Sequence, residues 1–170
     1  MRVFHVPVRA VPDWFGDVRE YLERACEVHG FLDVEDVHLL LSAGRATLTI
    51  VVEDGASEVS GCFVTEWVEF PKKAVVNIVL VGGTQGFLVR GFEEGLKELE
   101  QKASDAKADA LTGLGRPGWV RVARRLGWQS RELTSVWKEL GGGQQSQGRR
   151  QRRDTDDADR AVDRSAAGAS

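Results

Sequence analysis

Residues 74–81 read Ala-Val-Val-Asn-Ile-Val-Leu-Val, with Asn77 the single polar side chain among them. A run this short, apolar and rich in β-branched residues suits a strand covered on both faces. It passes directly into Gly82-Gly83-Thr84-Gln85-Gly86, and from there a helical pattern extends to about residue 106. Leu88, Phe92, Leu96, Leu99 and Ala103 make the apolar stripe of that helix. Glu93, Glu94, Lys97, Glu98 and Lys102 face water. A buried strand, a glycine-rich turn and an amphipathic helix in direct succession commit the chain to a layered architecture of sheet and helices.

The flanking segments set the topology. Residues 1–8 have a weak strand character. A helix follows, with Asp13 as its expected cap, Trp14, Phe15, Val18, Tyr21, Leu22, Ala25 and Val28 at helical spacing, and Gly30 as its stop. A second, short helix starts at Asp33, carries Val34, Val37, Leu40 and Leu41 on one side, and ends by Gly44. Strands are expected over 46–52 and 59–70, with turns at 53–55 and 71–73. Beyond the long helix, 110–114 is a short strand, and Pro117 suits the first turn of a helix over 118–126. Gly127 ends that helix, and a last strand lies within 128–140. The order β-α-α-β-β-β-α-β-α-β describes an antiparallel meander leading into a βαβ crossover. That is an α/β (α+β) mixed sheet and not a doubly wound one.

Composition narrows the class further. The chain has 170 residues, 42% hydrophobic and 29% charged, enough for one domain with a real core. From Gly141 onward there is no aromatic, Leu, Ile or Met; Val162 and five alanines are the apolar content. That is too little to offset the entropy of ordering a chain, so 1–140 reads as the domain and 141–170 as a disordered polar and charged tail. The tail holds six arginines, four of them in Arg149-Arg150-Gln151-Arg152-Arg153, against five aspartates that follow or intersperse with them. A net charge of -3 argues against nucleic acid as a partner. No apolar run is long enough for a membrane helix, and the N-terminus lacks the pattern of a secretory signal. Cys26 and Cys62 fit a reducing compartment as buried thiols. Cytoplasm is the expected location.

Residues 81–86 are the first candidate for chemistry. Amides at the start of a helix, aided by its dipole, form an anion site, and glycines allow close approach of a phosphate. The plainer reading is a tight turn that needs positive φ. The segment is not a Walker A loop, since no Gly-Lys-Ser/Thr follows, and it does not sit at the first turn of a dinucleotide-binding βαβ unit.

With these elements in place, the chain resembles the GNAT superfamily of N-acetyltransferases. The resemblance spans most of 1–140. It rests on the two early helices, the meander, the glycine-rich turn before the long helix, and Trp119-Val120-Arg121-Val122-Ala123-Arg124-Arg125-Leu126-Gly127-Trp128. The body is also similar to GNAT-like proteins encoded by tailed phages, through Gly44-Arg45-Ala46, Thr65-Glu66, Phe70-Pro71, Gly82-Gly83 and Gly118-Trp119. The resemblance implies a GNAT-like sheet with helices on both faces, acetyl-CoA as co-substrate without a metal, and transfer of the acetyl group to an amine acceptor. It assigns Leu80 and Val81 to the pantetheine arm, and Gly82, Gly83, Thr84, Gln85 and Gly86 to the diphosphate. The family's turn usually reads Gln/Arg-x-x-Gly-x-Gly/Ala, from which 81–86 departs. Where many members carry a tyrosine acid, four residues before Gly127, this chain has Ala123.

Glu66 and Asn77 are the remaining catalytic candidates: a strand carboxylate able to take a proton from an amine, and the one polar residue in the apolar strand. For each, an ordinary structural role is the competing reading. Arg116, Arg121, Arg124 and Arg125 cluster near the late helix, facing either the 3′-phosphate of CoA or solvent. Cys26 and His29 stand one helical turn apart, with His38 near in sequence, which is short of a metal-binding pattern. A second function keeps the fold without catalysis: a virion-associated or interaction protein whose partners are phage structural proteins.

Overall fold

The apolar run becomes the fourth strand of a five-stranded sheet in a computed structural model of the chain, which describes residues 1–87, 91–115 and 117–130. In chain order the elements are β1 (Arg2–Val6), a 3-10 turn (Val8–Ala10), α1 (Val11–His29), α2 (Val34–Ser42), β2 (Thr47–Val52), β3 (Val59–Phe70), β4 (Lys73–Gly83), α3 (Phe92–Asp105), β5 (Ala110–Gly113) and α4 (Pro117–Arg125). The strands lie side by side in the order 1-2-3-4-5. β1 to β4 pair antiparallel, and β5 joins β4 in parallel after the α3 crossover. The mixed sheet is thus the expected meander followed by a βαβ unit. All these elements belong to one compact unit, Met1–Ser130. Residues 128–130 are irregular. The rest of the expected last strand (131–140) and the expected tail (141–170) lie outside the described residues, as do Leu88 and Arg116.

Several boundaries differ from expectation. α1 begins at Val11, so Asp13 is not its cap; Pro12 fits in the first turn, where no N–H is needed. Asp13 instead lies in that first turn, where a carboxylate suits the helix dipole. Lys73 already pairs with Phe70, which leaves Pro71-Lys72 as a two-residue hairpin loop. β4 runs past Val81 through both glycines, with Gly82 opposite Cys62 and Gly83 opposite Gly61. The long helix, expected to follow the turn directly, begins as α3 at Phe92, with Gly91 at its N-cap position. Gly30 closes α1 at φ 80°, and Asp33 caps α2 in a reciprocal box with Asp36, at 2.8 and 3.2 Å.

Strand alternation divides the core between the two faces of the sheet. Leu48, Ile50, Cys62, Val64 and Leu80 pack with Phe15, Val18, Leu22 and Cys26 of α1 and with Val37 and Leu41 of α2. Val51, Phe63, Ile78 and Val81 meet Phe92, Leu96 and Leu99 of α3, with Trp119, Val122 and Ala123 of α4 packed alongside. Helices therefore cover both faces. Each fully buried Leu, Ile, Val or Phe stabilises the fold by roughly 1.5–3 kcal/mol before entropy is counted. Trp67 departs from the general expectation of a core tryptophan: it stands 43% exposed near the free end of the β3–β4 hairpin.

α3 reaches the sheet at Gly95, where a methyl group would lie 2.3 Å from the ring of the fully buried Phe63. That ring is held by Phe87 and Phe92, with centroids at 5.9 and 5.7 Å. Gly95→Ala stabilises an unconstrained helix by about 1 kcal/mol. Here it should destabilise by about 1–3 kcal/mol through overpacking, read as a lower midpoint in urea unfolding. Both cysteines are core residues. Burial pushes the Cys26 thiol up to about 11 and the Cys62 thiol up to about 12. A raised thiol pKa leaves the neutral form in place at ordinary pH. Native protein at a pH of about 8 should show no fast-reacting thiol, with both cysteines titrating once denaturant is added.

Candidate functional site at the open edge of the fourth strand

β3 and β4 stay in step from Phe70↔Lys73 to Thr65↔Ile78, then slip: Val64 faces Leu80, and Val79 is the extra residue. Such a bulge reverses the edge to which the following backbone groups turn. Before it, Ala74 faces β5. Its N–H donates to the Asp109 carboxylate at 2.8 Å, and its carbonyl accepts the Asp109 N–H at 2.7 Å. After it, Thr84 faces β3, donating its N–H to the Ser60 carbonyl at 2.9 Å. Alternation from Thr84 turns Gly82 to β3 and turns Val81 and Gly83 to the opposite edge. On that edge β5 has ended, because its pairing with β4 stops at Ile78↔Gly113. Among the described residues no strand pairs there, so the amides and carbonyls of Val81 and Gly83 face an opening.

A cavity of about 170 Å³ lies at this opening, lined by Tyr21, Arg24 and Ala25 of α1, by 81–84 and Phe87, and by Trp119 of α4. The α1 residues are the part of the site that the sequence did not point to, since nothing in their helical spacing shows that α1 crosses the end of β4. Tyr21 is fixed there, its hydroxyl donating to the Val59 carbonyl at 3.0 Å. Burial raises its phenol pKa above the ordinary value. Trp119 rests on Phe92, with centroids 5.5 Å apart. Arg121, Arg124 and Arg125 do not line the cavity; Arg124 donates instead to the Ser130 hydroxyl at 2.7 Å.

The glycines at 82–83 have a packing reason. A methyl at Gly82 would lie 2.7 Å from the Tyr21 carbonyl oxygen. Phe87 is seated on Gly61, Gly83 and Gly91, where a methyl would come within 2.3, 2.7 and 2.7 Å of its ring. Gly86 alone in the segment needs positive φ, at 94°. The expected row of five amides is thus thinner than it reads. Thr84 sends both N–H and hydroxyl to Ser60, and Gly82 faces β3. The N–H groups of Gln85 and Gly86 donate to no acceptor among the described residues. Leu80 puts its side chain into the α1–α2 core and Val81 into the α3 core.

Glu66 and Asn77 come together. They are register partners on β3 and β4, and Asn77 Nδ2 donates to Glu66 Oε1 at 2.9 Å. Thr112 of β5 donates its hydroxyl to Asn77 Oδ1 at 3.2 Å. The three form a polar row across the sheet, two strand positions before the bulge. Further along β3, Glu69 accepts from Trp67 Nε1 at 3.2 Å. Among the described residues no group of His, Cys, Asp and Glu is placed to hold a metal ion. His38 lies against Phe15 and His29 against Phe31. No described helix is long and apolar enough to cross a membrane.

No protein-family model and no curated protein matches the chain. Solved structures do. An aminoglycoside acetyltransferase, meta-AAC0020, from an uncultured soil metagenomic sample and complexed with sisomicin, aligns with a TM-score of 0.66 at 12% identity, over 82% of this chain and 95% of its own. The ribosomal-protein-alanine N-acetyltransferase of Brucella melitensis biovar Abortus 2308 aligns at 0.61 and 12% identity, over 82% and 100%. A probable acetyltransferase aligns at 0.61 and 12%, over 82% and 97%. Likeness at such identity is one of architecture: the chain has the fold seen in GNAT acetyltransferases.

Proposed function

We propose that this protein is a GNAT-like N-acyltransferase, moving an acetyl group from acetyl-CoA to an amine. The observation that carries this reading is the edge of β4 where Val81 and Gly83 turn amides and carbonyls, unpaired among the described residues, toward a cavity. An extended amide-bearing arm can pair there as a strand would, and Gln85 and Gly86 offer further N–H groups for its diphosphate. The residues fit such a ligand: donors line the strand edge, and among the described residues no acidic side chain lines the cavity. β4 rises about 3.3 Å per residue, so the row at Asn77 lies roughly 13 Å back from Val81. An arm running from Gly83 toward the end of β5 at Ile78 directs its thioester end toward the row that holds Glu66.

In this reading the amine nitrogen attacks the thioester carbonyl carbon, the C–S bond breaks and an amide forms. Backbone N–H groups near the bulge polarise the carbonyl. Glu66, oriented by Asn77 and Thr112, takes the proton the amine loses, directly or through one water. The departing thiolate is protonated by solvent. Ala123 stands where a tyrosine acid is common, and Tyr21 commits its hydroxyl to Val59. Catalysis then rests on positioning more than on acid assistance.

That same Ala123 favours a second reading, in which the fold binds a partner without turnover, as a phage structural or virion-associated protein would. Thiol release separates the two. Acetyl-CoA incubated with a panel of primary amines should liberate CoA in an amine-dependent way, and its absence across the panel would favour the second reading. Calorimetry should detect CoA binding at about 1 mM or below, and no heat there would remove the transferase proposal. Glu66→Gln should lower kcat/KM by about 10²-fold with CoA affinity unchanged. Thr112→Val, which loosens Asn77 only, should cost less.

A further inference from the structure

We infer that Arg24 of α1 is the cationic anchor of this site and grips the diphosphate of the acyl carrier; this rests on the transferase reading above. Among the described residues lining the cavity it is the one cation. Arg121, Arg124 and Arg125, offered by the resemblance for the 3′-phosphate, do not line this cavity. Arg24 is also held ready. Its guanidinium sits 5.4 Å from the centroid of the Tyr21 ring, and that ring is pinned through its hydroxyl to Val59. Stacking on a fixed aromatic face orients the planar fork while leaving its edge donors available.

Among the described residues, the carboxylate within 4 Å of Arg24 does not consume those donors. Glu20 Oε1 is 3.8 Å from Arg24 Nη2, beyond hydrogen-bond reach, and its side chain is 80% exposed. An exposed i,i+4 pair of this kind contributes little. Val81 and Gly83, whose amides have no partner among the described residues, line the same cavity. A cation beside main-chain donors suits an anion with several acceptor oxygens on adjacent phosphorus centres. An isolated carboxylate would leave part of this donor set unused. Arginine meets phosphate with two parallel N–H···O bonds, which accounts for a guanidinium at this place.

The test is calorimetry on the full-length protein, wild type and Arg24→Gln, with CoA, 3′-dephospho-CoA and pantetheine as separate titrants. Arg24→Gln should weaken CoA and dephospho-CoA equally, by about tenfold or more, and leave pantetheine unchanged. The salt dependence of CoA binding should become shallower. Arg24→Lys should recover part of the loss. The Arg24 side chain is 53% exposed, so the melting temperature of Arg24→Gln should match wild type. Equal weakening of pantetheine would overturn the inference, because Arg24 would then shape the cavity without binding phosphate. A loss confined to CoA would overturn the diphosphate assignment in favour of the 3′-phosphate. Unchanged binding of all three titrants would overturn the inference alone, whereas a wild type that binds none of them overturns the transferase reading with it.

Discussion

One extra residue in β4 governs the arrangement of everything around the site. With Val79 bulged out, Ile78 and Val81 both point into the α3 side of the core, while Leu80 points into the α1–α2 side. Without it, the alternation set by Ala74 would turn Leu80 and Gly82 to the β5 edge. With it, Val81 and Gly83 take that edge, beyond the last residue β5 can pair. Backbone polar groups facing such an opening are costly unless water or a ligand meets them. Among the described residues no strand pairs with that edge beyond Ile78.

The same region is the most closely packed. Ser60, opposite the end of β4, is itself a bulge residue: Val51 faces Gly61 and Val52 faces Val59. Its hydroxyl donates to Val51 at 2.9 Å, and its carbonyl accepts from Thr84. Phe87 sits on three glycines from β3, β4 and the residue before α3, and meets Phe63 and Phe92 edge-on. The wall of the cavity is thus continuous with the core on the α3 side. A side chain at Gly83 would displace Phe87, and through it Phe63, so site geometry and stability are coupled here.

The meander was legible because its strands announce themselves locally. Val59–Phe70 is bounded by turn residues on both sides, and Asp33 and Gly30 carry cap chemistry that works within a few residues of chain. The glycine-rich junction was legible as a place but not in its parts. Spacing alone cannot separate a glycine that admits a phosphate from one that admits a phenylalanine ring, and Gly83 admits the ring. Bulges leave no mark in a run such as 74–81, so the turning of Val81 and Gly83 was hidden. Arg24 and Tyr21 were hidden for another reason: their helix meets β4 only through tertiary packing, across some sixty residues of chain. Glu66 and Asn77 were visible as types, yet only the register of β3 with β4 makes them partners.

The central claim is that main-chain donors on the β5 side of β4 hold the acyl carrier. Amide chemical shifts report it directly. Titrating the isotopically labelled protein with CoA should move the N–H resonances of Val81, Gly83, Gln85 and Gly86 most, while those of Gly82 and Thr84, turned toward β3, move least. Shifts that fall instead on residues remote from β4, or no shifts at a CoA concentration of about 1 mM, would contradict the account.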